Sequence, residues 1–183
     1  MPETYAPPVQ RQPFENFRPY RDLLLVDLGT LDADSHIVRD IPKDGQGSWR
    51  WTGEHPAVEV TLRSVENVTY LIDFSMADAT LKDTGPVTLT FDVNGHELGS
   101  ATYRSAGSYH FEKAVPREWL EVGKPTEVGA SIDKMWVSPT DGVKLGFILS
   151  HLGLRQEEKK DSAAAVKTPE NKTPETKTPE TRK

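Results

Sequence analysis

Along the middle of this chain, apolar and polar side chains alternate in short runs, each closed by turn-forming residues. Val58, Val60 and Leu62 form one apolar series. Val68, Tyr70, Ile72 and Phe74 form a second, interleaved with Thr69, Leu71, Asp73 and Ser75. Val87, Leu89, Phe91 and Val93 form a third, opposed by Thr88, Thr90 and Asp92. A period of two places successive residues on opposite faces of a strand, so each run offers one face to a core and one to water. Asn94-Gly95 then separates Val87–Val93 from Glu97–Tyr103. That dipeptide tolerates positive φ at two consecutive positions, which a tight type I′ hairpin requires. The same pattern predicts strands over 22–28, 36–41, 48–52, 57–63, 68–75, 86–93, 96–103, 108–114, 126–132 and 144–150. One brief helical turn is predicted at Pro116–Leu120, where proline suits the first helical position and Glu118 faces the positive end. About ten short strands and one short helical turn predict an all-β fold, a two-sheet antiparallel β-sandwich of jelly-roll type. A closed barrel is the alternative.

The two ends of the chain lack this pattern. Residues 1–19 are rich in Pro, Gln and Arg, with Tyr5, Phe14 and Phe17 interspersed, and read as an extended arm. Toward the other end Lys167-Thr-Pro-Glu, Lys172-Thr-Pro-Glu and Lys177-Thr-Pro-Glu repeat every five residues. Each unit removes a backbone donor and offers no large apolar side chain, so residues 155–183 are expected to be a disordered tail. The folded unit is then 20–154.

Composition sharpens this division. Only 36% of the residues are hydrophobic, which agrees with ends that contribute nothing to a core. Of 22 basic and 28 acidic residues, eight and six lie from Arg155 onward, leaving 14 basic and 22 acidic residues in 1–154. A body with a formal charge of −8 has no basic stripe for a phosphate backbone, so nucleic acid is not an expected partner. Cysteine is absent, which excludes disulfides and thiolate chemistry. No apolar run approaches the roughly 20 residues of a membrane span, and no signal-peptide pattern opens the sequence. A cytoplasmic protein without membrane insertion is the expectation. Without a signal peptide, the acceptor patterns Asn67-Val-Thr69 and Asn171-Lys-Thr173 are read as accidental.

Candidate chemistry is sparse and mostly aromatic. In Trp49-Arg-Trp-Thr52 a strand would point Trp49 and Trp51 to one face and Arg50 to the other. Exposed indoles of that kind stack on the apolar faces of sugar rings; indoles in the core are the competing reading. Arg50 is either a structural ion pair or a ligand contact. Asp27, Asp32, Asp34 and Asp40 supply hard oxygen but lack the regular spacing of a calcium loop, which favours a solvated acidic loop and no metal. The five histidines show no metal-binding spacing, and no Gly-rich phosphate loop or Gly-x-Ser-x-Gly elbow is present. Glu54, Glu59, Glu112, Glu118 and Asp133 are the carboxylates from which a glycosidic pair would have to come. No catalytic residues and no cofactor are expected.

Taken in order, Trp49-Arg-Trp-Thr-Gly53, the Asn-Gly hairpin, Gly107-Ser-Tyr-His-Phe111, Met135-Trp-Val-Ser-Pro139 and Asp141-Gly-Val-Lys-Leu-Gly-Phe147 resemble galactose-binding-like β-sandwich modules. Modules of this kind accompany bacterial glycosyltransferases and polysaccharide-associated proteins. They carry an Arg-Trp-Thr stretch, a Trp- or Phe-x-Pro segment and a final Asp-x-Arg-x-Leu-Gly strand. The resemblance covers about residues 22–154 and departs at Val143, which stands where those modules have arginine. It implies a non-catalytic carbohydrate-binding or carbohydrate-associated module. The implied ligand-binding residues are Trp49, Arg50, Trp51, Trp136 and Asp141, and the partner is a glycan or a partner enzyme. A protein-interaction adaptor is the second reading and a small glycoside-active enzyme the third.

Overall fold

The computed structural model describes residues 24–43 and 47–156. The predicted arm, and the predicted tail beyond its first two residues, lie outside them. Twelve strands are present among the described residues: β1 Leu25–Asp27, β2 Ile37–Arg39, β3 Arg50–Trp51, β4 Ala57–Thr61, β5 Val68–Met76 and β6 Val87–Val93. They continue with β7 His96–Tyr103, β8 Gly107–Ala114, β9 Pro125–Ile132, β10 Trp136–Val137, β11 Lys144–Leu145 and β12 Ile148–Gln156. Helix α1 spans Ala33–His36, helix α2 spans Asp78–Thr84, and a 3₁₀ turn covers Arg117–Trp119.

One sheet runs β1-β12-β5-β8, with β3 also paired to β12, and the other runs β2-β4-β9-β6-β7. Every pairing is antiparallel. Numbering β1, β4, β5, β6, β7, β8, β9 and β12 from one to eight gives sheets 1-8-3-6 and 2-7-4-5. Every connection among these eight crosses from one sheet to the other, except the β6–β7 hairpin. This interleaving is the jelly roll, and two separate ladders replace the alternative of a single closed barrel. At the hairpin, Asn94 and Gly95 have φ of 51° and 76°, the backbone that the type I′ turn requires. The Asn94 side chain also donates to Trp119 O at 2.7 Å and accepts from Glu127 N at 2.9 Å, which fastens the turn to its neighbours.

The inward faces are those that the alternation predicts. Tyr70, Ile72 and Phe74 of β5 meet Leu89, Phe91 and Val93 of β6 in a buried seam, with Phe147, Leu149 and Leu152. Phe91 stacks on Phe111 at 4.0 Å between ring centroids, and Phe74 meets Phe147 edge-on at 5.5 Å. Tyr70 is fully buried, and its hydroxyl donates to Gly129 O across the two sheets at 2.9 Å. Burial, then the charge of Asp92, holds its phenol well above the ordinary tyrosine range.

Two features differ from the sequence-based expectation. The final strand is not 144–150 but a short β11 followed by β12, which runs to Gln156. Its register shifts between Leu149 and His151, and this bulge turns both Leu149 and Leu152 inward although they are three residues apart. Gly153 follows, where a Cβ would stand 2.1 Å from Leu24 O, so the missing side chain lets β1 close on β12. Helical structure is also richer than the single turn expected at 116–120. Helix α2 fills the β5–β6 crossover, with the Asp78–Lys82 pair one turn apart and Gly85 N–H closing on Leu81 O at φ 72°.

Tyr70→Phe removes a buried inter-sheet hydrogen bond and leaves the ring in place. It is expected to lower unfolding stability by about 1–3 kcal/mol, read as a lower urea midpoint with an unchanged slope.

Candidate functional site

The site is assembled around β3, a strand of two residues whose side chains part company. Arg50 is 5% exposed. Its Nε donates to Leu28 O at 3.1 Å, and one terminal nitrogen reaches Asp34 Oδ1 at 2.5 Å, Pro42 O at 2.8 Å and Lys43 O at 3.2 Å. A buried guanidinium needs acceptors, and the loops between β1 and β3 wrap around it to supply them. Of the two readings of Arg50, its burial and its pairing with Asp34 match the structural ion pair.

The neighbouring indoles differ from each other. Trp49 is 48% exposed. Trp51 is half-buried and stacks on Trp136 at 6.2 Å between ring centroids, with the planes 28° apart. Trp136 lies on β10, opposite Leu145 of β11. Its indole N–H donates to Asp83 Oδ2 of α2 at 2.6 Å, so the unexpected helix orients this ring.

Asp141 sits in the turn between β10 and β11. The Ser138 hydroxyl first, then Val143 N–H, hold its carboxyl below the ordinary carboxylate range. The Ser138 and Val143 main chains are themselves paired at 2.9 Å, and Gly142 takes φ of 72°. Asp141 shapes the hairpin that presents Val143 and stays exposed on it. Val143 is 48% exposed and Val137 51%.

Between this hairpin and the end of β2 lies an open groove of about 350 Å³. Trp51, Ile41, Pro42, Val143 and Leu145 supply its apolar lining, and Asp40 and Lys144 supply charge. Asp40 holds φ of 54°, and its Oδ2 accepts His55 N at 2.8 Å. A Cβ on Gly146 would lie 2.4 Å from Gly53 O, so glycine there permits the close approach of the two segments that border the groove. Sequence reasoning missed Ile41, Pro42, Lys144 and Leu145 as lining residues. The available signal was Pro139-Thr-Asp-Gly142, a turn sequence between two short strand-like pairs.

The remaining acidic candidates are dispersed. Asp27 Oδ1 accepts Gly29 N at 2.8 Å, Asp34 pairs with Arg50, and Asp133 Oδ1 accepts Thr88 N at 2.7 Å. Among the described residues, no three His, Asp or Glu side chains are arranged to hold a metal. No described helix is long and apolar enough to cross a membrane. Among the described residues, Asp40 is the groove's one carboxylate.

No family model matches the chain, and no curated protein matches it. Among solved structures it is similar to a family GH115 4-O-methyl-alpha-glucuronidase with specificity for decorated arabinogalactans. The identity is 9% and the TM-score 0.38, over 65% of this chain and 15% of that enzyme's length.

Arg50→Ala strands three backbone acceptors and is expected to cost about 2–4 kcal/mol of unfolding stability. Trp49→Ala, one residue away, is expected to change it by less than about 0.5 kcal/mol. Guanidinium unfolding of both variants beside the unaltered protein checks the contrast.

Proposed function

We propose that this protein is a non-catalytic carbohydrate-binding or carbohydrate-associated module of the galactose-binding-like sandwich kind, with the groove lined by Trp51 as its contact surface. The observation that carries this reading is the pair of half-buried, stacked indoles beside an apolar groove bordered by Asp40 and Lys144. An indole fixed by packing offers a flat face to the axial C–H groups of a sugar ring at little entropic cost. One carboxylate and one ammonium then orient the hydroxyls around the ring edge. Trp49, outside this pair, serves as a peripheral stacking surface. Arg50 and Asp141 act indirectly, the first by holding β3 and the second by shaping the β10–β11 turn. An open groove of this size suits weak binding with dissociation constants near millimolar, about 4 kcal/mol.

A second reading, docking onto a partner protein, is favoured by the exposed Val137 and Val143 on the same hairpin. The two readings separate under titration with sugar.

Calorimetric titration with a panel of neutral and acidic oligosaccharides is expected to give saturable binding for at least one of them. That binding should be unchanged by EDTA and lost in Trp51→Ala. No binding at millimolar saccharide would contradict the proposal, as would binding unaffected by Trp51→Ala.

A further inference from the structure

The outer face of the β1-β12-β5-β8 sheet carries a row of alternating acids and imidazoles. Cross-strand register sets Asp27 opposite His151, His151 opposite Asp73, and Asp73 opposite His110, one side chain from each of the four strands. His110 Nδ1 lies 2.6 Å from Asp73 Oδ1, and its Nε2 lies 3.5 Å from Glu112 Oε2. On the other side of Asp73, His151 Nδ1 stands 3.2 Å from Oδ2, too poorly aligned for a hydrogen bond, and its Nε2 stands 3.9 Å from Asp27 Oδ2. Arg155 ends the row, 3.0 Å from Glu112 Oε2.

This arrangement matches one protonation state of His110 better than the other. A neutral imidazole has one N–H and one lone pair, whereas a carboxylate only accepts. Flanked by Asp73 and Glu112, neutral His110 satisfies one acid and turns a lone pair toward the other. The imidazolium donates to both. With His110 neutral, Asp73 and Glu112 lose the cation that stands between them.

β8 is an edge strand, and apart from half-buried Tyr109 and Phe111 its residues are exposed. Those two rings reach the core, Phe111 on Phe91 and Tyr109 on Phe74 at 5.7 Å. On the outer face, His110 joins β8 to Asp73 of β5, beside the Ser75–Ser108 hydroxyl pair at 3.0 Å.

We propose that His110 is a protonation-operated clasp, tying edge strand β8 to β5 when charged and slackening that edge when neutral. The groups that face it are Asp73 from β5, Glu112 from β8 itself, and, through those two acids, His151 and Arg155 from β12 and Asp27 from β1. The hydrogen bond to Asp73, foremost, raises the proton affinity of His110 above the ordinary value of 6.5. A raised folded-state value fixes the sign. The clasp contributes fully below pH 6.5, the unfolded value, and its contribution is lost as pH rises through the folded value.

Histidine-ring NMR on the full chain, with amide hydrogen exchange at pH 6.0 and 8.5, tests this. The His110 titration midpoint is expected above 6.5 and lower in Asp73→Asn. Protection of the β8 amides, corrected for intrinsic exchange, is expected to fall about two- to fivefold between the two pH values and to stay level in His110→Asn. A His110 midpoint at or below 6.5 overturns the proposal. So does an equal loss of β8 protection in His110→Asn, a variant whose exposed position keeps the fold intact even if Asp73→Asn does not fold.

Discussion

A guanidinium cut off from water has to find its hydrogen bonds inside the protein, and Arg50 finds them in the chain that precedes it. Leu28, Asp34, Pro42 and Lys43 converge on it from one side, while β12 pairs with β3 from the other. The loops from β1 to β3 bury Leu28, Ala33 and Ile41 in the core. They take their course around a charge that is costly to leave unpaired. Because β3 is only two residues long, fixing Arg50 also fixes Trp51, which lines the groove and meets Trp136. The chemistry proposed for this surface thus rests on a side chain that never reaches it.

The rest of the sandwich divides labour in the same way. Aromatic rings between the sheets hold the layers together, and the polar faces are left to the connections and the outer rows. β12 joins several of these regions. Ile148 pairs with Trp51 beside the groove, the bulge after Leu149 keeps the strand's apolar residues pointing inward, and His151 stands in the acid–imidazole row. Helix α2 links the crossover between sheets to the groove through one hydrogen bond, from Trp136 to Asp83.

The fold was largely legible in the sequence because most of its strands bury one face, and one-sided burial writes a period of two. β5 and β6 show this most clearly, and Asn94-Gly95 marks their neighbouring hairpin through backbone conformation alone. Legibility failed where local pattern and tertiary role part. The spacing of Leu149 and Leu152 breaks the period, since a bulge absorbs the extra residue, and β12 therefore looked finished too early. In α2 only Thr80 is buried, so no apolar stripe announces the helix. At the site, the Trp-Arg-Trp cluster identified the right segment but not the role of its arginine. The acceptors of Arg50 lie 7 to 22 residues away in sequence, and nothing in its immediate neighbours reveals them.

In the proposed function a saccharide rests on the groove face of Trp51, which Trp136 backs. Nitrogen-15 spectra of the indole groups report on all four tryptophans at once, and a saccharide titration followed this way tests the claim most directly. The account predicts progressive shifts of the Trp51 and Trp136 signals, with Trp119, stacked on His96 near the hairpin, unmoved. Shifts confined to Trp119, or four signals that ignore every sugar, would contradict it.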